Sequence, residues 1–198
     1  MSTYLKQRAK VVITGITIVG LFFSLNMSTI FAESQLPPGT VMKWKGHQET
    51  YYLGSDGKRY VFPNQHTFFS WYENFNNVVE VDDSKLATFP LGGNVRYRPG
   101  VLLVKIQSDP KVYAVSANGL LRWVKNEALA KKLYGDKWNL LVDDVQVSLF
   151  NNYTLGDPVD HETEFSAEDE EESIATIDED RLAKLKHKDE KRFVKRHE

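Results

Sequence analysis

The chain has 198 residues, no cysteine and a formal net charge of −2. That length suits one or two small domains, and the missing cysteines exclude a disulfide framework and a thiolate metal site. Residues 33–157 hold 13 acids against 14 Lys and Arg, residues 158–180 hold 11 acids and no Lys or Arg, and residues 181–198 hold 8 bases and 3 acids; a body so close to neutral excludes the broad basic face that nucleic-acid binding needs.

The first residues carry Lys6, Arg8 and Lys10 and no acid. An apolar run follows from Val11 to Leu25, and the segment closes on Ile30-Phe31-Ala32. A basic head, an apolar middle and a small residue at the end form the layout of a secretory signal over residues 1–32. The alternative is an uncleaved anchor, because a membrane-spanning helix needs ~20 residues and Val11–Ala32 offers that length. Either form places the body outside the cytoplasm, secreted or at the cell surface. In the anchored form this segment is the chain's contact with the membrane.

The body reads as one unit written twice, over residues 36–95 and 96–158. Pro38-Gly39 matches Pro99-Gly100, Tyr52 matches Tyr113, and Gly57 and Asn64 match Gly119 and Asn126. Tyr72 matches Tyr134, Phe75 matches Trp138, and Leu91-Gly92 matches Leu155-Gly156. Self-similarity held in order over this length marks a repeat.

Within one copy, Thr50–Leu53 and Arg59–Phe62 are rich in Tyr and Val, which suit a pleated surface. Asp56-Gly57 lies between them, and Asn118-Gly119 stands at the same place in the second copy. Such pairs supply the positive φ of a hairpin turn. Asn64 then precedes Phe68, Trp71, Tyr72 and Phe75, one helical stripe. Asn126 precedes Leu129, Ala130, Leu133 and Tyr134, with Gly135 as the stop. Each asparagine is an N-cap, its side-chain oxygen accepting from an early free N–H. Short extended runs follow at Val78–Val81 and Leu140–Val142, then a turn over Ser84–Phe89. The expected fold class is α+β, two tandem hairpin/helix/strand units packed as one body.

GSDGKRYVFPN (Gly54–Asn64), the aromatic helix, and VVEVDDSKLATFPLGGNVRYRPG (Val78–Gly100) resemble a repeat module of exported bacterial surface proteins. Its pattern is Val-Tyr, then Gly-Lys-Arg with an aromatic, a capped helix and a closing Pro-x-Gly. The resemblance covers residues 38–157 and implies an accessory surface segment with no attached chemistry. The second copy departs from it: Lys58-Arg59 becomes Leu120-Leu121, and Pro63 becomes Lys125.

No catalytic, nucleotide-binding or cofactor motif is present. The five histidines show no metal-ligand spacing, and His66 reads as a solvated surface residue. Asp82-Asp83 and Asp143-Asp144 are accounted for by capping and turns. Trp44 lacks an aromatic counterpart and adjoins Lys43 and Lys45, so it is the candidate exposed contact, together with Lys58, Arg59 and Tyr60. Gly57, Gly119, Asn64 and Asn126 are expected to be structural. Residues 159–198 hold few apolar side chains and read as a charged tail, disordered or helical. The expected function is a non-catalytic, exported binding or structural module for an envelope polysaccharide or a surface protein. The competing readings are a membrane-anchored scaffold that recruits a partner through the tail, and an extracellular enzyme of unrecognised type.

Overall fold

The computed structural model describes residues 35–182; the expected N-terminal signal or anchor segment and residues 183–198 lie outside the described part. Among the described residues no helix is long and apolar enough to cross a membrane.

The chain is mixed α and β, with two five-stranded sheets. The first contains β1 (Val41–Trp44), β2 (Thr50–Leu53), β3 (Arg59–Val61), β4 (Val79–Val81) and β5 (Leu91–Asn94), in the order β4-β1-β2-β3-β5. β1, β2 and β3 are antiparallel neighbours, while β4 pairs parallel to β1 and β5 parallel to β3. The second contains β6 (Leu103–Ile106), β7 (Asp109–Ser116), β8 (Leu120–Trp123), β9 (Val142–Asp144) and β10 (Thr154–Leu155), in the order β10-β8-β7-β6-β9. Each sheet is thus an antiparallel meander flanked by two parallel edge strands. The edge strands β5 and β10 stand where the sequence had indicated only closing Leu-Gly pairs.

Each hairpin turns on a glycine with positive φ, +73° at Gly57 and +67° at Gly119. Asn118 shares that conformation, at φ 68°. The first helix, α1, spans Gln65–Phe69 and is shorter than the aromatic stripe implied. The helix ends at Phe69 with Ser70 as its C-cap, and just beyond it the Trp71 indole N–H donates to the carbonyl of Arg96 at 2.8 Å. Phe75 returns through a turn and stacks on Phe68, ring centroids 4.3 Å apart. α2 (Asp83–Ala87) and α4 (Val147–Phe150) are single turns, and α3 (Glu127–Tyr134) stops at Gly135 with φ +82°.

Strand register corrects one sequence match. Tyr52 pairs with Val41 and Tyr60, and the residue paired in the same way with Leu103 and Arg122 is Ala114, not Tyr113. Side chains alternate along a strand, so a slip of one residue reverses the face. Tyr52 accordingly packs with Phe62 and Phe68 on the α1 side, while Tyr113 packs with Tyr97 and Leu121 on the opposite side of its own sheet. Both sheets carry a core on each face.

The charged tail, expected to be disordered or helical, is helical in part, and its described residues pack onto the body. Val159, Phe165 and Ala167 pack into the core beneath α3, and Ile177 packs into the core beneath α1. Ser166 caps α5 (Ala167–Ser173), and residues 177–182 are helical again. The acids of this segment are used in specific contacts. Asp178 accepts from the N–H of Ser55 at 2.8 Å, and Glu170 accepts from that of Ala117 at 2.8 Å, so each hairpin turn is held by one carboxylate. Composition concealed this role because a few apolar side chains, Val159, Phe165, Ile174 and Ile177, are placed inward.

The two caps differ in reach. Asn126 accepts from the N–H of Leu129 at 2.9 Å. Asn64 accepts from the N–H and hydroxyl of Thr67 at 2.7 and 2.9 Å, and its amide donates to the Tyr97 hydroxyl at 3.0 Å. We expect Asn126→Ala to cost about 1 kcal/mol, as a cap alone. Asn64→Ala is expected to cost about 2–3 kcal/mol, because it also strips a buried hydroxyl of a partner. Denaturant midpoints of the two variants test this; equal losses would count against the link through Tyr97.

Candidate functional site

A groove of about 780 Å³ runs beside α1 on the first sheet. Its apolar part comprises Phe62, Phe68, Phe75 and Val78, and its polar part includes Gln48, Asn64 and Gln65. Phe62 and Phe68 are placed by burial, meeting edge to face at 5.1 Å. Phe75 is 47 % exposed and forms a wall open to solvent. At the opposite rim Lys43, on β1, pairs with Glu80 on β4 at 2.8 Å, and His47 lies 3.7 Å from Glu49. The Lys43 ammonium holds Glu80 below the usual carboxylate range. The Lys43 and Glu80 charges of the rim therefore already neutralise each other, and Glu49 faces His47.

The four predicted contact residues are not brought together. Trp44 lies at the end of β1 next to the start of β2, whereas Lys58 and Arg59 lie where β2 ends. Trp44 is half-buried, packs on the α2 side of the sheet, and stacks on His47 with centroids 3.6 Å apart. Lys58 is exposed. Arg59 donates to the carbonyl of Leu86 and stands over the Tyr51 ring, 5.4 Å from its centroid. Tyr60, expected as an exposed contact, is instead a core residue, 6 % exposed, because its ring is packed inside the sheet's buried cluster. Its hydroxyl donates to Asp56 at 2.7 Å and accepts from Arg181 at 2.8 Å. Burial, together with the bond to Asp56, pushes its pKa up to about 12. Burial works against ionisation of Asp56, yet the bonds it accepts from Tyr60 and the Lys58 N–H, with the Arg181 charge, hold it below the usual range.

The structural turns and caps lie at the ends of the same elements: Asn64 lines the groove, while Gly57 lies at the distant hairpin tip. The acidic pairs differ from expectation. Asp82 makes no side-chain cap bond to α2. Asp143 joins the two sheets, since it accepts from the Tyr97 hydroxyl and pairs with His66 at 2.9 Å. Burial first, and then Asp143, push the Tyr97 hydroxyl up to about 12. His66 is thus exposed but tethered. Among the described residues no group of three His, Cys, Asp or Glu is placed to hold a metal ion.

Sequence reasoning assigned Phe75 to the interior stripe of a longer helix. Only the early end of α1 turns it toward the groove, and no local signal marked that end. With Phe62, Phe68 and Phe75 and the amides of Gln48 and Gln65 in one lining, the groove can stack a flat apolar face and hydrogen-bond its edge. No protein-family model, curated protein or solved structure matches the chain.

Proposed function

We propose that this chain is an exported, non-catalytic binding module of the cell surface, built from a duplicated unit, and that it takes a neutral envelope glycan in the groove beside α1. Duplication is supported by the matching order of strands in the two sheets. Export rests on the layout of residues 1–32, and surface location on the resemblance to the exported repeat module. The observation that carries the ligand class is the lining of the groove. Exposed Phe75 beside Phe68 offers ring surface, Gln48 and Gln65 offer amides, and Lys43 and Glu80 of the rim are paired with one another. Amphipathic surface of this kind matches a sugar ring, with its apolar face and polar edge, and paired rim charges favour an uncharged ligand over a polyanion. Glu170 and Asp178 are engaged with the two hairpin turns, which weighs against a free recruiting arm in the described part of the segment.

Phe75→Ala removes the exposed ring. Its burial against a ligand is worth about 1.5–3 kcal/mol, so affinity for protease-treated envelope polysaccharide is expected to fall roughly ten- to a hundredfold. Co-sedimentation with that polysaccharide, alongside a melting curve to verify folding, makes the test. Unchanged pelleting by a folded variant would remove the groove from the site. Pelleting of the wild-type chain that vanishes on protease treatment would assign the ligand to protein instead.

A further inference from the structure

The second sheet carries a groove of about 310 Å³ lined from equivalent positions. The equivalence is fixed by backbone bonding, not by residue type. Phe62 N donates to the Thr50 carbonyl at 2.9 Å, and Val124 N donates to that of Val112 at 2.9 Å. The caps Asn64 and Asn126 follow two residues later in each case. Thr50, Phe62, Asn64 and Phe68 of the first groove are thus represented by Val112, Val124, Asn126 and Ala130 of the second, each 62 positions on, and Phe75 is represented by Trp138.

The two lysines of this rim have partners, and Glu127 adds a carboxylate to the lining. Lys111 and Lys125 stand over the Trp123 ring, 5.3 and 4.7 Å from its centroid. They pair with Asp109 at 3.5 Å and Asp160 at 3.3 Å. The second groove keeps an aromatic wall, an apolar floor and the capping asparagine, while Pro110 and Glu127 stand where the first has Gln48 and Gln65. The closing segment packs Val159 and Phe165 beneath α3 without joining the lining of this groove.

We infer that the second groove is a second neutral-saccharide site, so that one chain binds a glycan bivalently. The inference rests on the glycan reading of the first groove and adds a second site to it. Two linked sites make the second binding step intramolecular, so a ligand long enough to reach both gains affinity without any new contact.

The test titrates the full chain calorimetrically with β-1,4-linked N-acetylglucosamine oligomers of two and of eight residues, and with size-fractionated, protease-treated envelope polysaccharide. Two sites are expected for the shortest ligand that binds. Phe75→Ala and Trp138→Ala are each expected to leave one site, and Trp138→Phe to retain two. Long chains are expected to bind on the order of a hundredfold more tightly than short ones, and either single variant is expected to abolish that gain. Should Trp138→Ala fail to fold, the exposed pair Lys111→Ala with Lys125→Ala replaces it. A single site that survives Trp138→Ala overturns bivalency and leaves the first groove standing. No binding of any of these glycans by the wild-type chain overturns the glycan reading itself.

Discussion

Gly100→Val is expected to lower stability by about 4 kcal/mol and to expose residues 167–182 to hydrogen exchange. Two effects add. Gly100 has φ +77°, where a residue with a Cβ is strained by about 1–3 kcal/mol. The added Cβ also lies 2.0 Å from the backbone oxygen of Ala167 and 2.8 Å from the backbone nitrogen of Glu171. Both are helix backbone, so relief requires α5 to move, and overpacking of this kind costs about 1–3 kcal/mol. Gly39, in the matching turn of the first unit, supplies the control. Its φ is +88°, and a Cβ added there meets nothing within 4 Å. Gly39→Val therefore carries the strain without the overlap, and the difference between the two denaturant midpoints measures the docking of α5. Equal losses, or unchanged exchange at residues 167–182, would show that this segment does not depend on its seat at Gly100.

Arg96→Met is expected to cost about 3–5 kcal/mol, because it leaves Asp180 buried without its counter-charge. The Asp180 side chain is 5 % exposed and that of Arg96 is 10 % exposed. Arg96 donates to Asp180 Oδ2 at 2.9 and 2.5 Å and to the Asp180 carbonyl at 2.9 Å. Its guanidinium also lies against the turn at Gly119, and its own carbonyl accepts from Trp71. One residue thus touches the first unit, the second hairpin and the closing segment. The double variant Arg96→Met with Asp180→Leu removes both charges and is expected to recover most of the loss, since an apolar pair of similar volume often replaces a buried ion pair without penalty. A double-mutant cycle reads the result. Additive losses would mean that the pair does not act as a unit.

The sequence encoded the features set by a few consecutive residues. Asn118-Gly119 makes a turn because both residues tolerate positive φ, and Asn64 and Asn126 cap helices because the bonded N–H lies three residues away. The chain could be read as α+β from these signals together with its Tyr- and Val-rich runs. The reading failed where the partner lies far along the chain. β5 and β10 are strands only because β3 and β8 present unpaired edges to them, and Gly92-Gly93 carries no strand preference of its own. Tyr52 and Tyr113 match as letters yet face opposite ways, since only pairing fixes the register. Phe75 lies beyond the end of α1 and stacks on Phe68, while Trp71 bonds the Arg96 carbonyl 25 residues away.

The acidic segment shows the same division most plainly. Its composition described a solvated tail, and averaged over the segment that description is accurate. Stability is decided by placement instead. Val159, Phe165, Ile174 and Ile177 are each under 10 % exposed, and Asp180 meets Arg96 across 84 residues of sequence. The turns and caps are local matters of backbone geometry, written in the sequence itself. The edge strands, the groove and the seat of the closing segment are long-range pairings, which become favourable only when the folded chain brings their two halves together.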